Sequence, residues 1–124
     1  YNAKIKKKSF LEVWGSGKAR RELMFVEDFA KAIIFFMNKK IKEPLINIGS
    51  GKDYSIKYYA QLILKILIPE KKIKITLDKT KPNGTPRKVL NISLAKKYGW
   101  KPKINLKVAI WETYKDYIKK QSKY

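Results

Sequence analysis

The stretch VWGSGKARRELMFVED, residues 13–28, contains the patterns on which the predicted fold rests. Apolar and polar residues alternate over residues 11–14 and stop at the Gly-Ser-Gly of residues 15–17, which is typical of a strand that leads into a turn. From residue 26 onward, two acidic residues are followed by apolar residues at helical spacing and then by two lysines. This charge order suits the dipole of a helix, so the sequence predicts a strand, a turn and a helix over residues 26–39.

Strand-like and helical patterns also alternate along the rest of the chain, and proline or glycine separates most of them. Alternation of this kind predicts an α/β fold of the α+β-like type, in which a small sheet is flanked by helices. Ser55 is the predicted N-cap of one helix, and Gly99 follows the end of another. The further predicted elements are strands at residues 45–48 and 72–78, helices at 55–67, 93–98 and 106–119, and a loop at 79–88. The apolar residues that recur at helical spacing in the helix at 26–39 are Phe29, Ala32, Ile33, Phe36 and Met37.

The charge of the chain is strongly positive, with 30 Lys and Arg against 10 Asp and Glu and a net charge of +20. A surplus of this size raises the alternative of a lysine-rich module that binds nucleic acid. All but three of the 30 cations are lysines, however, and they are scattered over every predicted element. Proteins that read bases rely on the paired donors of arginine, so a nucleic-acid partner is not favoured.

Several classes of site are excluded by the residues that the chain lacks. There is no cysteine and no histidine, which excludes disulfides, Cys- or His-based metal sites and Cys- or His-based catalysis within these residues. No apolar stretch is long enough to span a bilayer and no signal-peptide pattern is present, so we expect a cytoplasmic protein without a metal or a membrane anchor. The first residue is Tyr1 and both methionines are internal, so we also expect a piece of a longer protein.

Neither of the two Gly-Lys dipeptides completes a nucleotide-binding motif. A P-loop requires a glycine five positions before the dipeptide, where this chain has Glu12 and Ile46. The dinucleotide fingerprint requires a third glycine, where the chain has Arg20 and Tyr54. No tyrosine lies four residues before a lysine, so the pair that lowers the pKa of a phenol for proton transfer is also missing. We therefore expect these residues to bind a ligand and to contain no catalytic residue.

Three segments taken in order resemble the GDP-L-fucose synthase family of extended short-chain dehydrogenases/reductases. They are VWGSGKARRELMFVED at 13–28, LINIGSGKDYSI at 45–56, and KPNGTPRKVL at 81–90 followed by the Gly-Trp of residues 99–100. The resemblance extends over almost the whole chain, and KPNGTPRK is its most diagnostic part.

The resemblance implies that residues 1–124 are the C-terminal substrate-binding part of an enzyme that converts GDP-4-keto-6-deoxy-D-mannose to GDP-L-fucose with NADPH. In that family NADP(H) and the catalytic residues belong to an N-terminal Rossmann domain, which would be absent from this chain. The resemblance also implies a GDP-sugar as the substrate and a homodimer of the whole enzyme. Another nucleotide-sugar epimerase or dehydratase of the same superfamily is the nearest alternative.

Four residues match positions of the family that contact the substrate: Trp14, Arg21, Asn83 and Lys88. The guanidinium of Arg21 and the ammonium of Lys88 suit a diphosphate, because both donate hydrogen bonds to phosphate oxygens. Three of these positions also have a plainer interpretation. Trp14 at a strand end would be a core residue, Arg21 would form a salt bridge with Glu22, and Asn83 would belong to an ordinary Pro-Asn-Gly turn.

The chain departs from the family pattern at three places. Asn83 stands where the family commonly has aspartate, Phe25 stands where it has histidine, and Glu27 and Asp28 stand where it has paired aspartates. An amide still accepts a hydrogen bond but carries no charge. The departures therefore leave the nucleotide-sugar class in place and make the particular sugar less certain.

Overall fold

Short helices and strands alternate along the chain, as the patterns predict. The computed structural model describes residues 1–121. Its elements are α1 Asn2–Ile5, β1 Phe10–Trp14, β2 Arg20–Glu22, α2 Val26–Met37, β3 Asp53–Ser55, α3 Ile56–Leu67, β4 Lys74–Asp78, β5 Arg87–Lys88, α4 Ser93–Lys97 and α5 Leu106–Gln121. The predicted α/β class with small sheets and flanking helices is thus confirmed. Over the described range, no helix is both long enough and apolar enough to cross a bilayer.

The strands form two small sheets instead of one. In the first, β1 and β4 are parallel and Trp14 is in register with Asp78. In the second, β2 lies between β3, which is antiparallel to it, and β5, which is parallel to it. Because β1 and β4 are parallel, their carboxyl ends meet at one edge, and the turn at residues 15–17 and the loop at 79–86 both begin there.

Helix α3 begins where its sequence predicts. The hydroxyl of Ser55 accepts a hydrogen bond from the backbone N–H of Tyr58 over 3.1 Å, which is the N-cap interaction. A cap of this kind contributes about 1 kcal/mol to helix stability. The helix ends at Leu67, before Pro69, because a residue that precedes proline disfavours the helical conformation. The buried face of α3 packs against α5 and the strands.

The hydrophobic core lies where α2 and α4 meet the segment after α4. Its buried members are Ala32, Ile92, Ala95 and Trp100, and Ile46 and Ile48 are among the partly buried residues that pack against them. Gly99 has a φ of +90°, which is the C′ conformation predicted for it and allows the chain to turn back so that Trp100 reaches the core.

Most of the apolar face predicted for α2 does not face this core. Ala32 is buried and Phe36 packs against the core, whereas Phe29, Ile33 and Met37 are exposed. Together with exposed Val26, these three recur every three or four residues and form one stripe, called here the α2 apolar surface. The periodicity correctly predicts a helix, but this face stays exposed in the part of the chain that the structure describes.

The strand predicted at residues 45–48 is wrong. These residues form no ladder with any strand in the described part of the chain. Ile46 and Ile48 pack on the core while Leu45 is exposed, so the alternation is real. A strand also requires a neighbour for its backbone N–H and C=O groups, and here that neighbour is missing.

Candidate functional site

The turn after β1 is tied to the loop after β4 by the side chain of Asn83. Its Oδ1 accepts hydrogen bonds from the backbone N–H of Ser16 over 2.7 Å and from the Ser16 hydroxyl over 2.6 Å. Gly15 has a φ of +73°, and a Cβ at this position would lie 2.8 Å from Asn83 Oδ1, so glycine permits the close approach. The side-chain oxygen of Asn83 therefore fixes the position of the turn.

Trp14 is the last residue of β1 and its side chain points to solvent. The residue is 66% exposed, whereas its neighbour Val13 is buried, as the alternation of a strand requires. The interpretation of Trp14 as a core residue is therefore wrong. The ammonium of Lys81 lies 5.7 Å from the centroid of the indole ring, within the range of a cation–π contact. The indole is accessible to a ligand at the edge of the loop.

Arg21 in β2 reaches the same loop from the second sheet. One terminal nitrogen, Nη1, donates to the backbone oxygen of Thr85 over 2.6 Å and to that of Arg20 over 2.7 Å. A salt bridge with Glu22 does not form, because the Glu22 carboxylate accepts instead from the backbone N–H groups of Gly51 and Leu90. A guanidinium has five N–H donors, so Arg21 retains donors at Nε and Nη2 for a ligand.

Lys88 lies beside Arg21. The two residues are partners in the parallel register of β2 and β5, so their side chains point to the same face of the sheet. Lys88 is exposed, and it forms no salt bridge with any residue of the described part of the chain. Asn83 and Lys88 thus belong to the segment 79–88, and Arg21 and Trp14 contact it from β2 and β1, through Thr85 and Lys81 respectively.

A second cluster in this sheet has no counterpart in the predictions. The carboxylate of Asp53, a residue only 8% exposed, accepts from Nε of Arg20 over 2.9 Å and from Nε of Arg87 over 2.7 Å. Hydrogen bonds from Arg87 and then from Arg20 hold the pKa of Asp53 far below its usual value. One signal was available in the sequence, because the chain has only three arginines. The structure shows that all three lie in this sheet.

The sheet therefore carries more positive than negative charge. Its cations are Arg20, Arg21, Arg87 and Lys88, and its carboxylates are Glu22 and Asp53. Asp53 is shared by two arginines on one face, and Glu22 is directed to backbone N–H groups, so neither neutralises Arg21 or Lys88. Two adjacent cations without an acidic partner are suited to a ligand with two adjacent anionic groups.

A wide cleft lies elsewhere, between α3 and α5. It has a volume of about 950 Å³ and a mainly apolar lining that includes Leu11, Tyr59, Ile63, Ala109 and Ile110. None of the four predicted site residues lines it. We place the candidate site at the loop because an anionic ligand requires cations, and the adjacent cations Arg21 and Lys88 lie there.

The bonds made by Asn83 lead to a stability prediction. Asn83→Ala is expected to lower the free energy of unfolding by about 1 kcal/mol, because the N–H of Ser16 loses its acceptor. Asn83→Asp keeps acceptor oxygens and is expected to unfold at the same urea concentration as the original protein. Urea unfolding followed by circular dichroism measures both. An alanine variant as stable as the original would show that these two bonds contribute nothing.

The chain is similar in sequence to part of several longer proteins that are named as GDP-sugar synthases. The profile of the NAD dependent epimerase/dehydratase family matches residues 1–49. Probable GDP-L-fucose synthase 1 of Oryza sativa subsp. japonica is 38% identical over 118 residues, covering 95% of this chain and 35% of that protein. GDP-L-colitose synthase of Yersinia pseudotuberculosis is 39% identical over 116 residues, covering 93% and 37%. The chain thus spans about a third of the length of the curated relatives it matches.

Solved structures give the same relationship. MlghC, a GDP-mannoheptose C4 reductase from Campylobacter jejuni with NADP bound, superposes with a TM-score of 0.73 at 33% identity, covering 88% of this chain and 32% of that one. A UDP-glucose 4-epimerase from Thermotoga maritima reaches a TM-score of 0.74 at 23% identity, covering 90% and 36%, which supports the fold alone.

Proposed function

We propose that this chain, which is 38% identical to a probable GDP-L-fucose synthase over 118 residues, is the C-terminal, substrate-binding part of an NADP-dependent epimerase/reductase that acts on a GDP-sugar. The observation that carries the proposal is the pairing of Arg21 with Lys88 in register on one face of a sheet. Neither cation forms a salt bridge within residues 1–121, and the exposed indole of Trp14 lies beside Lys81, near the start of the loop at 79–88.

Each residue has a role that follows from its chemistry. Arg21 donates paired hydrogen bonds to the diphosphate and Lys88 supplies a second positive charge. Trp14 offers an apolar ring to the base or the sugar. Asn83 holds the turn through its oxygen, which leaves its amide N–H groups as donors to the ligand.

The residues of this chain do not fit NADP(H). Among the described glycine turns, only the one at residues 49–51 follows a strand-like pattern and closely precedes a helix. The carboxylate of Glu22 already occupies the space that a pyrophosphate would need there. The Glu22 carboxylate accepts from the N–H of Gly51, and a Cβ on Gly49 would collide with the same carboxylate. A negative charge in this position repels a pyrophosphate. We therefore assign the cofactor and the catalytic residues to a part of the protein outside this chain.

The α2 apolar surface supports the existence of such a part. Contiguous exposed apolar side chains mark surfaces that another part of the protein or a partner covers. Val26, Phe29, Ile33 and Met37 are all exposed, and Leu45 is also exposed in the segment after the helix. We propose that the cofactor domain packs against this surface. Assembly of the whole protein into a homodimer and its location in the cytoplasm stay predictions.

The reaction we propose is the conversion of GDP-4-keto-6-deoxy-D-mannose to GDP-L-fucose with NADPH. The relatives are named for different sugars attached to GDP, since they include a colitose synthase and a heptose reductase. These names share GDP and differ in the sugar, so binding of GDP and identity of the sugar are tested separately.

Calorimetric titration of the complete protein with GDP and with UDP tests the proposal. We expect GDP to bind and UDP to bind at least ten times more weakly, about 1.4 kcal/mol. Turnover of NADPH with GDP-4-keto-6-deoxy-D-mannose then tests the sugar. Equal affinity for the two nucleotides would move the protein to another nucleotide-sugar enzyme, and no affinity for either would remove the substrate site from this chain.

A further inference from the structure

We propose that Asp53 is a positioning residue of the diphosphate site: it binds Arg20 of β2 and Arg87 of β5 together and so sets the distance between Arg21 and Lys88, the next residues along the same two strands. The inference rests on the proposed function, because it concerns the same site. It assigns Asp53 no contact with the ligand.

Asp53 accepts the same pair of side-chain hydrogen bonds from Arg20 and from Arg87, and these three residues are called here the clamp. Oδ2 accepts from Nε of both arginines, and Oδ1 accepts from Nη2 of Arg20 over 3.3 Å and of Arg87 over 3.2 Å. The backbone oxygen of Asp53 accepts a further bond from Arg20 Nη2 over 2.7 Å. Each guanidinium therefore uses its Nε and Nη2 donors on one carboxylate, which is the strong bidentate arrangement.

The two faces of the sheet separate the clamp from the ligand cations. Arg20 is in register with Arg87, and Arg21 is in register with Lys88. Since successive residues of a strand point to opposite faces, the arginines of the clamp lie on one face and the pair Arg21 and Lys88 lies on the other. Asp53 can therefore join the strands without competing with an anion for Arg21 or Lys88.

Strand β5 is short and exposed, so we expect it to depend on this clamp. It has two residues, and among the described strands it pairs with β2 alone. The other bonds between β2 and this segment reach residues on either side of β5: Arg20 N–H donates to Pro86 over 2.8 Å, Arg21 Nη1 donates to Thr85 over 2.6 Å, and the N–H of Leu90 donates to the Glu22 carboxylate over 2.8 Å. Without the carboxylate, two neighbouring guanidiniums would repel each other across the β2–β5 pair and push the strands apart.

The charge state of Asp53 keeps the clamp closed at physiological pH. Its pKa is lowered by Arg87 and Arg20, so the carboxylate is ionised throughout the neutral range. A group whose pKa is lowered by folding contributes its stabilisation above its unfolded pKa and loses it as the pH falls through the folded value. The clamp therefore responds only to strong acid.

The test compares GDP with guanosine, which lacks phosphate, in calorimetric titrations of the complete protein and its Asp53→Asn variant. We expect Asp53→Asn to weaken GDP binding about tenfold and to leave guanosine binding unchanged. The direction of the change in GDP affinity distinguishes a positioning role of Asp53 from a direct effect of its charge on the ligand. Removal of a negative charge near a phosphate site would by Coulomb attraction strengthen GDP binding, whereas loss of position weakens it.

Two further variants make the result independent of folding. Asp53→Glu keeps the charge and shifts it by one methylene group, so we expect an intermediate, GDP-selective loss even if the asparagine variant does not fold. Asp28→Asn is the matched control, because Asp28 is 4% exposed and binds the backbone N–H groups of Lys103 and Ile104. We expect that control to lower the melting temperature without changing the ratio of GDP to guanosine affinity.

Unchanged or tighter GDP binding by the Asp53 variants would overturn the inference, and so would an equal loss of GDP and guanosine affinity. Failure of the unsubstituted protein to bind GDP would instead overturn the proposed function. The two failures are thus distinguished by the unsubstituted protein.

Discussion

Replacement of Arg21 by alanine is expected to weaken GDP binding by the complete protein about 100-fold, or roughly 2.7 kcal/mol. In the proposed role of Arg21, two charge-assisted hydrogen bonds to phosphate would be lost, and at the low end of the range for bonds of this kind, about 1.5 kcal/mol each, the pair contributes roughly 3 kcal/mol. The bonds from Arg21 to the backbone oxygens of Thr85 and Arg20 are lost as well, so the loop at 79–88 also loses an anchor. Calorimetric titration with GDP measures the effect.

Two comparisons separate the shape of the side chain from its charge. Arg21→Lys keeps the charge but not the paired donors, so we expect an intermediate loss of about tenfold. Lys107→Ala removes one positive charge from an exposed position of α5, and we expect GDP affinity to stay unchanged. An alanine variant of Arg21 that binds GDP within a factor of two of the original would remove Arg21 from the site.

Replacement of Trp100 by alanine is expected to cause the largest loss of stability, about 4 kcal/mol in the free energy of unfolding. Trp100 is 6% exposed and packs with Ala32, Ile92 and Ala95, so truncation leaves a cavity in the core. Small neighbours cannot expand to fill the space left by an indole. Thermal and urea unfolding of the complete protein measure the loss.

Trp111→Ala provides the matched control for this change. Trp111 is 45% exposed on α5, so removal of its ring empties no enclosed space. We expect a loss of about 1 kcal/mol or less. Equal losses for the two tryptophans would mean that the α2–α4 cluster is not the core of this part of the protein.

Elements with long patterns and clear ends were predictable from the sequence. Helix α3 has a capping serine at Ser55 and a stop at Pro69, and β1 has alternation that ends in glycine. Strands β2, β3 and β5 were not predicted, because they have three, three and two residues and show no period. Residues 45–48 are the opposite case, since their period is clear and their partner strand is not present among residues 1–121.

The candidate site was predictable only in part, for a related reason. Trp14, Arg21, Asn83 and Lys88 were found through family resemblance, and no local spacing relates them to one another. Asp53 was missed because its partner Arg87 is 34 positions away and the two meet only through the register of β2 with its neighbours. Local patterns predict elements, whereas a site of this kind depends on which strands pair.

The bond between Ser16 and Asn83 joins residues 67 positions apart, and the bond between Arg21 and Thr85 joins residues 64 apart. Contacts this distant in sequence require closure of a large loop before they yield any stabilisation, so we expect them to form late in folding. A nucleotide that bridges Arg21 and Lys88 would act on the same closure from outside, since a ligand that binds only the folded state raises its stability in proportion to the logarithm of its concentration. In this protein, nucleotide recognition and completion of the fold would thus be one thermodynamic event.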